Sequence, residues 1–231
     1  MAQCCPVFLS NKGKRMSTRP TSIVVLLMIV TATVAGILLW NQLPDPMASH
    51  WNIQDQVDDY MPKFWGVFML PLITLGIWLL LLVVPSVDPL KANIAEFRGA
   101  FNLFIVLLAA FMLYIYGLSL AWNLGYTGFR MSGAMLPAVG LLFVFIGFLM
   151  RQARRNFFIG IRTPWTLSSD TVWNETHRVG AILFMISGAL AFIGGFFGGT
   201  AAFWFMSGPI IGSTIFLLIY SYVLYQREIR A

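Results

Sequence analysis

Charge is scarce in this chain: of 231 residues, 10% are Asp, Glu, Lys or Arg, against roughly 25% in an average soluble domain. Cysteine is scarcer still, with Cys4 and Cys5 adjacent near the start. Neighbouring cysteines seldom bridge each other, so no disulfide framework follows, and the pair lacks metal-ligand spacing. Histidine occurs twice, at positions 50 and 177, too sparsely for a paired-histidine metal motif. These shortages exclude an ordinary cytosolic enzyme, a disordered protein and a disulfide-stapled secreted domain. Apolar residues are abundant, at 58% of the chain. A soluble fold of this size cannot bury that much apolar surface, so the composition indicates an all-α, polytopic integral membrane protein in contact with the lipid bilayer.

Six uncharged apolar runs, near 22–41, 64–85, 101–122, 133–150, 179–199 and 204–225, are each long enough to cross the hydrocarbon core. Backbone groups in lipid must be satisfied internally, which favours helices, and continuous runs do not suit the alternating strands of a barrel. The first run follows Lys12, Lys14, Arg15 and Arg19, as a signal peptide would. Its apolar stretch, Ile23 to Trp40, spans 18 residues with no clear cleavage site after it, so an uncleaved anchor is expected. Met16 is an alternative start.

Thirteen of the fifteen Lys and Arg fall in the tails or in the loops after the second and fourth runs; Lys63 and Arg130 lie in the alternate loops. This asymmetry predicts both termini on the cytoplasmic side of a bacterial cell membrane. It also explains the net charge of +6 through anionic headgroups, with no direct nucleic-acid partner. The expected organisation is a basic tail over 1–21, a first membrane module over 22–122 with an outer loop at 41–63, and a second module over 133–226 with a cytoplasmic loop at 151–178. Trp40, Trp51, Trp65, Trp122 and Trp204 suit an interfacial belt. Pro71, Pro137 and Pro209 fall inside spans, where proline kinks are common. Ser187, Ala191, Gly195 and Gly199 form a small-residue face suited to close packing within one subunit.

Two hydrophilic loops carry the chemistry. The outer loop holds Asp45, Asp55, Asp58 and Asp59 against Lys63, a net charge of −3 with His50 neutral. Its prolines favour an ordered turn. Asp45, His50, Asp55 and Asp58 are metal-ligand types, but without a second His or calcium-loop spacing no metal site or cofactor is assigned. The acidic charge would steer a cationic or amphipathic ligand toward this face. The inner loop opens with a basic cluster, Arg151, Arg154 and Arg155, and continues through an unusually apolar stretch, Asn156 to Leu167, which should pack into the bundle or the interface. Ser168 or Ser169 can cap a helix with Asp170 in its first turn, running unbroken into the fifth span. Asp170, Trp173 and His177 would then share a face, and Glu175 could pair with Arg178. Asp88-Pro89 reads as an N-cap followed by a first-turn proline, leading helically into the third span.

The stretch 155–180 resembles the SdpI family of bacterial membrane proteins. The residues that carry the resemblance are Asn156, Gly160, Ile161, Arg162, Thr163, Pro164, Trp165, Thr166, Leu167, Ser168, Trp173, Thr176, His177 and Arg178. The outer loop is similar to a domain of unknown function that often precedes the SdpI domain, through Leu43-Pro44-Asp45, His50-Trp51-Asn52, Asp58, Tyr60 and Lys63. That domain commonly has Gly where Gln56 or Asp55 stands, and another where Asp59 stands. The resemblance implies immunity to a secreted antimicrobial peptide, met by outer-loop residues Pro44, Asp45, His50, Trp51, Asn52, Asp58, Tyr60 and Lys63. It also implies signalling, in which the inner motif holds a cytosolic transcriptional repressor at the membrane. A transporter is the second reading, although the spans hold essentially no ionisable residue at mid-membrane. A membrane enzyme is the third, with Asp45, His50 and Asp58, or Arg162, Glu175 and His177, as acid–base groups, but with no nucleophile–base pair in view; no catalytic residue is assigned.

Overall fold

A computed structural model describes residues 17–230. Cys4, Cys5, Lys12, Lys14, Arg15 and Met16 lie outside the described residues. Six long helices account for the apolar runs: α1 (Arg19–Leu38), α2 (Lys63–Val87), α4 (Arg98–Asn123), α5 (Met131–Gln152), α7 (Asp170–Gly194) and α8 (Gly199–Glu228). Each is long and apolar enough to cross a membrane. Two short helices, α3 (Lys91–Glu96) and α6 (Pro164–Ser168), sit between them at the same end of the bundle. The chain is an all-α polytopic membrane protein with one small exception in the first long loop.

That exception is a hairpin of two antiparallel strands, β1 (Met47–Trp51) and β2 (Val57–Met61). The sequence suggested an ordered turn there, not strands. The register is irregular between Ala48 and Trp51, and such a bulge twists a short ribbon locally.

The helices pack as two neighbouring groups. In the first, α1 and α2 lie against α4; in the second, α7 lies between α5 and α8; α4 against α5 joins them. Val25 and Ile29 of α1 enter the same buried cluster as Trp78, Phe101, Ile105 and Trp173, so the first run is an integral helix of the bundle. The α5–α7 contact is the closest in the molecule. A Cβ on Gly140 would lie 2.5 Å from the Gly188 carbonyl oxygen, and one on Gly147 would lie 2.6 Å from that of Ala181. Small residues let helix backbones approach to this degree in lipid, where apolar burial alone gives no drive to associate. Ser187 and Ala191 are buried on α7, with Ser187 Oγ 3.1 Å from Ser213 Oγ of α8. Ser187, Ala191 and Gly195, where an added Cβ would meet Pro137 of α5, therefore pack inside the subunit, whereas Gly199 belongs to α8 and an added Cβ there meets nothing.

Three local expectations shift. The fifth span is one unbroken helix from Asp170, as expected, but it ends at Gly194, and Gly199 already begins α8. Asp88 does not occupy the N-cap of α3, which starts at Lys91 after Leu90; its carboxylate instead accepts from the Leu90 N–H at 2.6 Å and closes the turn after α2. The approach to the third span is helical but broken at Phe97, where ψ is 24° and a new helix begins at Arg98.

Candidate functional site

The hairpin is held to the bundle at four points. Leu43 and Met47 are buried against Val67, Tyr116 and Leu120. The Asp45 carboxylate accepts from the Lys63 N–H at 3.1 Å, which satisfies a free donor at the start of α2. The Asn123 side chain pairs with the Ala48 backbone, accepting its N–H at 2.8 Å and donating to its carbonyl at 3.1 Å. Asp55, at the turn, reaches across to α5, where its carboxylate accepts from both the N–H and the hydroxyl of Ser132, each at 2.6 Å.

The turn is built around Asn52, whose side-chain oxygen accepts from the Gln54 and Gln56 N–H groups at 3.0 Å each. Asp55 there has φ +61°, in the left-handed region that glycine enters freely and aspartate tolerates. The resembled domain commonly has Gly where Gln56 or Asp55 stands, and the left-handed backbone is at Asp55. The chain keeps the turn and gains a carboxylate on the first turn of α5.

Beneath the hairpin lies a cavity of about 390 Å³, lined by His50, Trp51 and Asn52 from the hairpin and by Trp65, Met69, Ile115, Ser119, Ser132 and Met135 from three helices. Trp51 meets Trp122 edge-on at 5.6 Å. Its indole Nε1 is buried and has no hydrogen-bond partner among the described residues, although a buried indole N–H ordinarily finds one. On the exposed face His50 Nδ1 lies 2.6 Å from Asp58 Oδ1. Tyr60 stands in solvent at 57% exposure. Lys63 Nζ donates to the Trp40 carbonyl at 3.3 Å and sits over the Trp40 ring.

The structure thus divides the eight hairpin-side candidates. His50, Trp51 and Asn52 reach the cavity; Asp58 sits behind His50; Asp45 and Lys63 anchor the hairpin; Pro44 and Tyr60 line no part of the cavity. Sequence reading missed Asp55 as an anchor, together with Ser132, Asn123 and the methionines of α2 and α5. Only Asp55 carried a signal, as an acidic residue at a position that otherwise favours glycine.

At the opposite end of the bundle the second motif forms a compact knot. Asn156 is fully buried and accepts from the Phe158 and Ile159 N–H groups at 2.9 and 2.6 Å, while donating to the Arg154 and Ile159 carbonyls. All of its polar capacity serves the loop backbone. His177 is buried and stacks on Trp173 with ring centroids 3.9 Å apart. Its Nε2 accepts from the Ile161 N–H at 3.0 Å, and its Nδ1 lies 2.8 Å from the Trp173 carbonyl. An accepting Nε2 with a donating Nδ1 requires the neutral, Nδ1-protonated imidazole. Gly160 makes the close approach feasible, with φ +110° and its α-carbon face against the imidazole edge.

Thr163 and Thr166 cap α6 reciprocally. Trp165 Nε1 donates to Ser221 Oγ of α8 at 2.5 Å, and Trp173 Nε1 to the Ala153 carbonyl at 2.9 Å. Ser168 donates to the Pro164 carbonyl, and Pro164 opens α6. Ser169 is the residue that caps α7, accepting from the Val172 N–H at 3.2 Å. Arg162 donates to the Phe157 carbonyl, and Arg178 pairs with Glu175 at 2.6 Å. Trp173 and His177 share the buried face, but Asp170 turns outward and pairs with Arg155 at 2.8 Å.

The knot is tied to the first group of helices. Asp88 is 2% exposed and accepts from the Phe157 N–H at 2.9 Å, while Asn93 donates to the Arg155 carbonyl at 2.8 Å. The apolar stretch 156–167 is therefore a packed loop and a single helical turn at the end of the bundle. The acid–base set Arg162, Glu175 and His177 is not assembled: each is committed to a different partner.

Comparison with known proteins follows this geometry closely. Residues 152–222, from the knot through most of α8, match the SdpI/YfhL protein family. Residues 27–75, enclosing the hairpin, match a domain of unknown function, DUF1648. The immunity protein SdpI of Bacillus subtilis (strain 168) is 24% identical over 207 residues, covering 89% of this chain and 96% of the relative. No solved structure matches the chain. The SdpI match covers 152–222, so it contains the knot's hydrogen-bond network except the partners Asp88, Asn93, Glu96 and Glu228.

Proposed function

We propose that this chain is a bacterial membrane immunity protein that protects its cell against a secreted antimicrobial peptide, recognised at the hairpin and the cavity beneath it. The observation that carries the reading is the similarity to an immunity protein along nearly the whole length of both chains, loops included. The cavity suits the role. It is mostly apolar, lies beneath the hairpin, and counts Trp51, whose buried indole N–H has no partner among the described residues, in its lining. Asp58 and Asp59 on the exposed strand β2 place negative charge at the rim, which raises the encounter rate of a cationic ligand.

In this reading the hairpin faces outward, both termini are cytoplasmic, and the two modules meet between α4 and α5. The knot is the cytoplasmic face on which a transcriptional repressor would be held. Signalling requires that the peptide favour one of two arrangements of the bundle. The Asp55–Ser132 link at one end and the Asp88–Phe157 link at the other are contacts through which the modules would bias each other. Transport and membrane catalysis are the competing functions; of the two acid–base sets only His50 and Asp58 meet, at 2.6 Å, with Asp45 committed to the Lys63 N–H.

The test is survival of a sensitive strain that expresses the chain and is challenged with the peptide encoded beside its gene. Wild type should protect. Trp51→Ala and the cavity-filling Ser119→Trp should abolish protection at unchanged membrane levels, and Tyr60→Ala should not. No protection by well-expressed wild type overturns the reading.

A further inference from the structure

The knot end of the bundle holds another cavity, lined by basic residues, that the immunity reading does not use. It measures about 540 Å³ and lies where α1 and α4 begin and α2 ends, lined by Thr18, Arg19, Pro85, Lys91, Ala95 and Arg98. Three cations converge on it from three elements. Among the described residues none of the three has a carboxylate partner, whereas Arg154, Arg155 and Arg178 are each paired. Glu96, the nearest acidic residue in sequence, is turned away to Arg154 at 3.1 Å. Arg98 is held in place, with its guanidinium 3.3 Å from Thr18 Oγ1 and over the Phe101 ring. A pocket of like charges kept apart from available acids stores repulsion that an anion relieves.

We infer that this cavity binds the phosphate-bearing headgroup of an anionic phospholipid, between Arg19, Lys91 and Arg98. Depth selects the lipid over a soluble anion. Arg19 and Arg98 are the first residues of two spanning helices, the level at which headgroup phosphates lie. One and two turns deeper on the same α1 face, Ile23 and Leu27 are 59% and 61% exposed, and Val83 and Val87 near the end of α2 are 54% and 55% exposed. Acyl chains attached to a bound headgroup therefore have an apolar wall to run along. Arginine supplies a planar fork suited to two phosphate oxygens and lysine a mobile point charge. The site joins α1 to α4 through the lipid, and does not depend on which function the hairpin end performs.

The experiment is native mass spectrometry of the purified full-length protein titrated with phosphatidylglycerol or phosphatidylcholine. Phosphatidylglycerol should be retained at least about tenfold more tightly. Arg19→Gln with Lys91→Gln, both exposed, should erase most of that preference. Arg227→Gln with Arg230→Gln removes the same charge at the end of α8 and should leave it intact. Inorganic phosphate alone should not displace the lipid. Equal retention of both lipids, an unaffected Arg19/Lys91 variant or an equal loss in the α8 variant would overturn the proposal. Displacement by inorganic phosphate would overturn the lipid as ligand and identify a free-anion site.

Discussion

At the residue scale, His177 has lost the freedom that makes histidine a catalyst. Both ring nitrogens are engaged, the ring is stacked on Trp173, and its edge is covered by Gly160. Its chemistry is that of a buried acceptor for the Ile161 N–H. Replacing it with alanine strands that N–H and opens a void beside Trp173, at a cost of about 1–3 kcal/mol. Gly160→Ala should cost at least as much, because the added methyl meets the imidazole and the backbone stays at positive φ. Both variants should lower the thermal midpoint of the detergent-solubilised protein, while Arg162→Ala, which removes one exposed hydrogen bond, should leave it within a degree or two. A histidine variant as stable as wild type would show that the knot does not rest on this acceptor. The sequence revealed that Trp173 and His177 share a helix face, since that needs only the helical period. It concealed that the partner would be a backbone N–H sixteen residues back, because loop closure is not a periodic property.

At the element scale, the hairpin shows what a local pattern omits. The loop 41–63 reads as ordered through its prolines and polar turn residues, but five-residue strands with an irregular register leave too little alternation to announce a sheet. What secures the hairpin is tertiary: Asn123 on Ala48, Asp45 on Lys63 and Asp55 on Ser132. The last contact links the two helix groups and yields a separable prediction. Asp55→Gly removes the carboxylate but suits φ +61°, whereas Asp55→Ala removes it and retains the backbone cost. The alanine variant should therefore be the less stable by about 0.5–1 kcal/mol. A double-mutant cycle with Ser132→Ala should return a coupling of about 1–2 kcal/mol. Thermal unfolding of wild type, Asp55→Gly, Asp55→Ala, Ser132→Ala and the double variant measures both quantities, and zero coupling would mean that the Ser132 hydroxyl contact contributes nothing in solution. The long helices were legible for the opposite reason: continuous apolar runs of membrane length leave few alternatives. Their ends were less so, because glycines 194, 195, 198 and 199 blur where α7 stops and α8 starts.

At the scale of the whole molecule, the two ends of the bundle differ in kind. The hairpin end has a mostly apolar cavity, exposed acids and an unpartnered indole, while at the knot end the loop 154–169 is closed by hydrogen bonds within the chain and the basic cavity beside it holds Arg19, Lys91 and Arg98. In the proposed function the ligand enters at the hairpin end and the packed knot is the opposite face. That difference ties function to orientation, which rests on the distribution of Lys and Arg: thirteen of fifteen lie at the knot end or in the tails. Lys63 and Arg130, the two exceptions, each make hydrogen bonds within the chain, Lys63 to the Trp40 carbonyl and Arg130 to the Phe196 and Phe197 carbonyls in the turn after α7. Two charges against thirteen leave the positive-inside bias strongly toward the knot end. With Cys4 and Cys5 replaced by serine, Gln54→Cys at the hairpin turn should react with a membrane-impermeant maleimide on intact cells. Arg230→Cys should react only after permeabilisation. The reverse pattern would invert the bundle, place the knot outside, and remove the hairpin cavity from the reach of any secreted peptide.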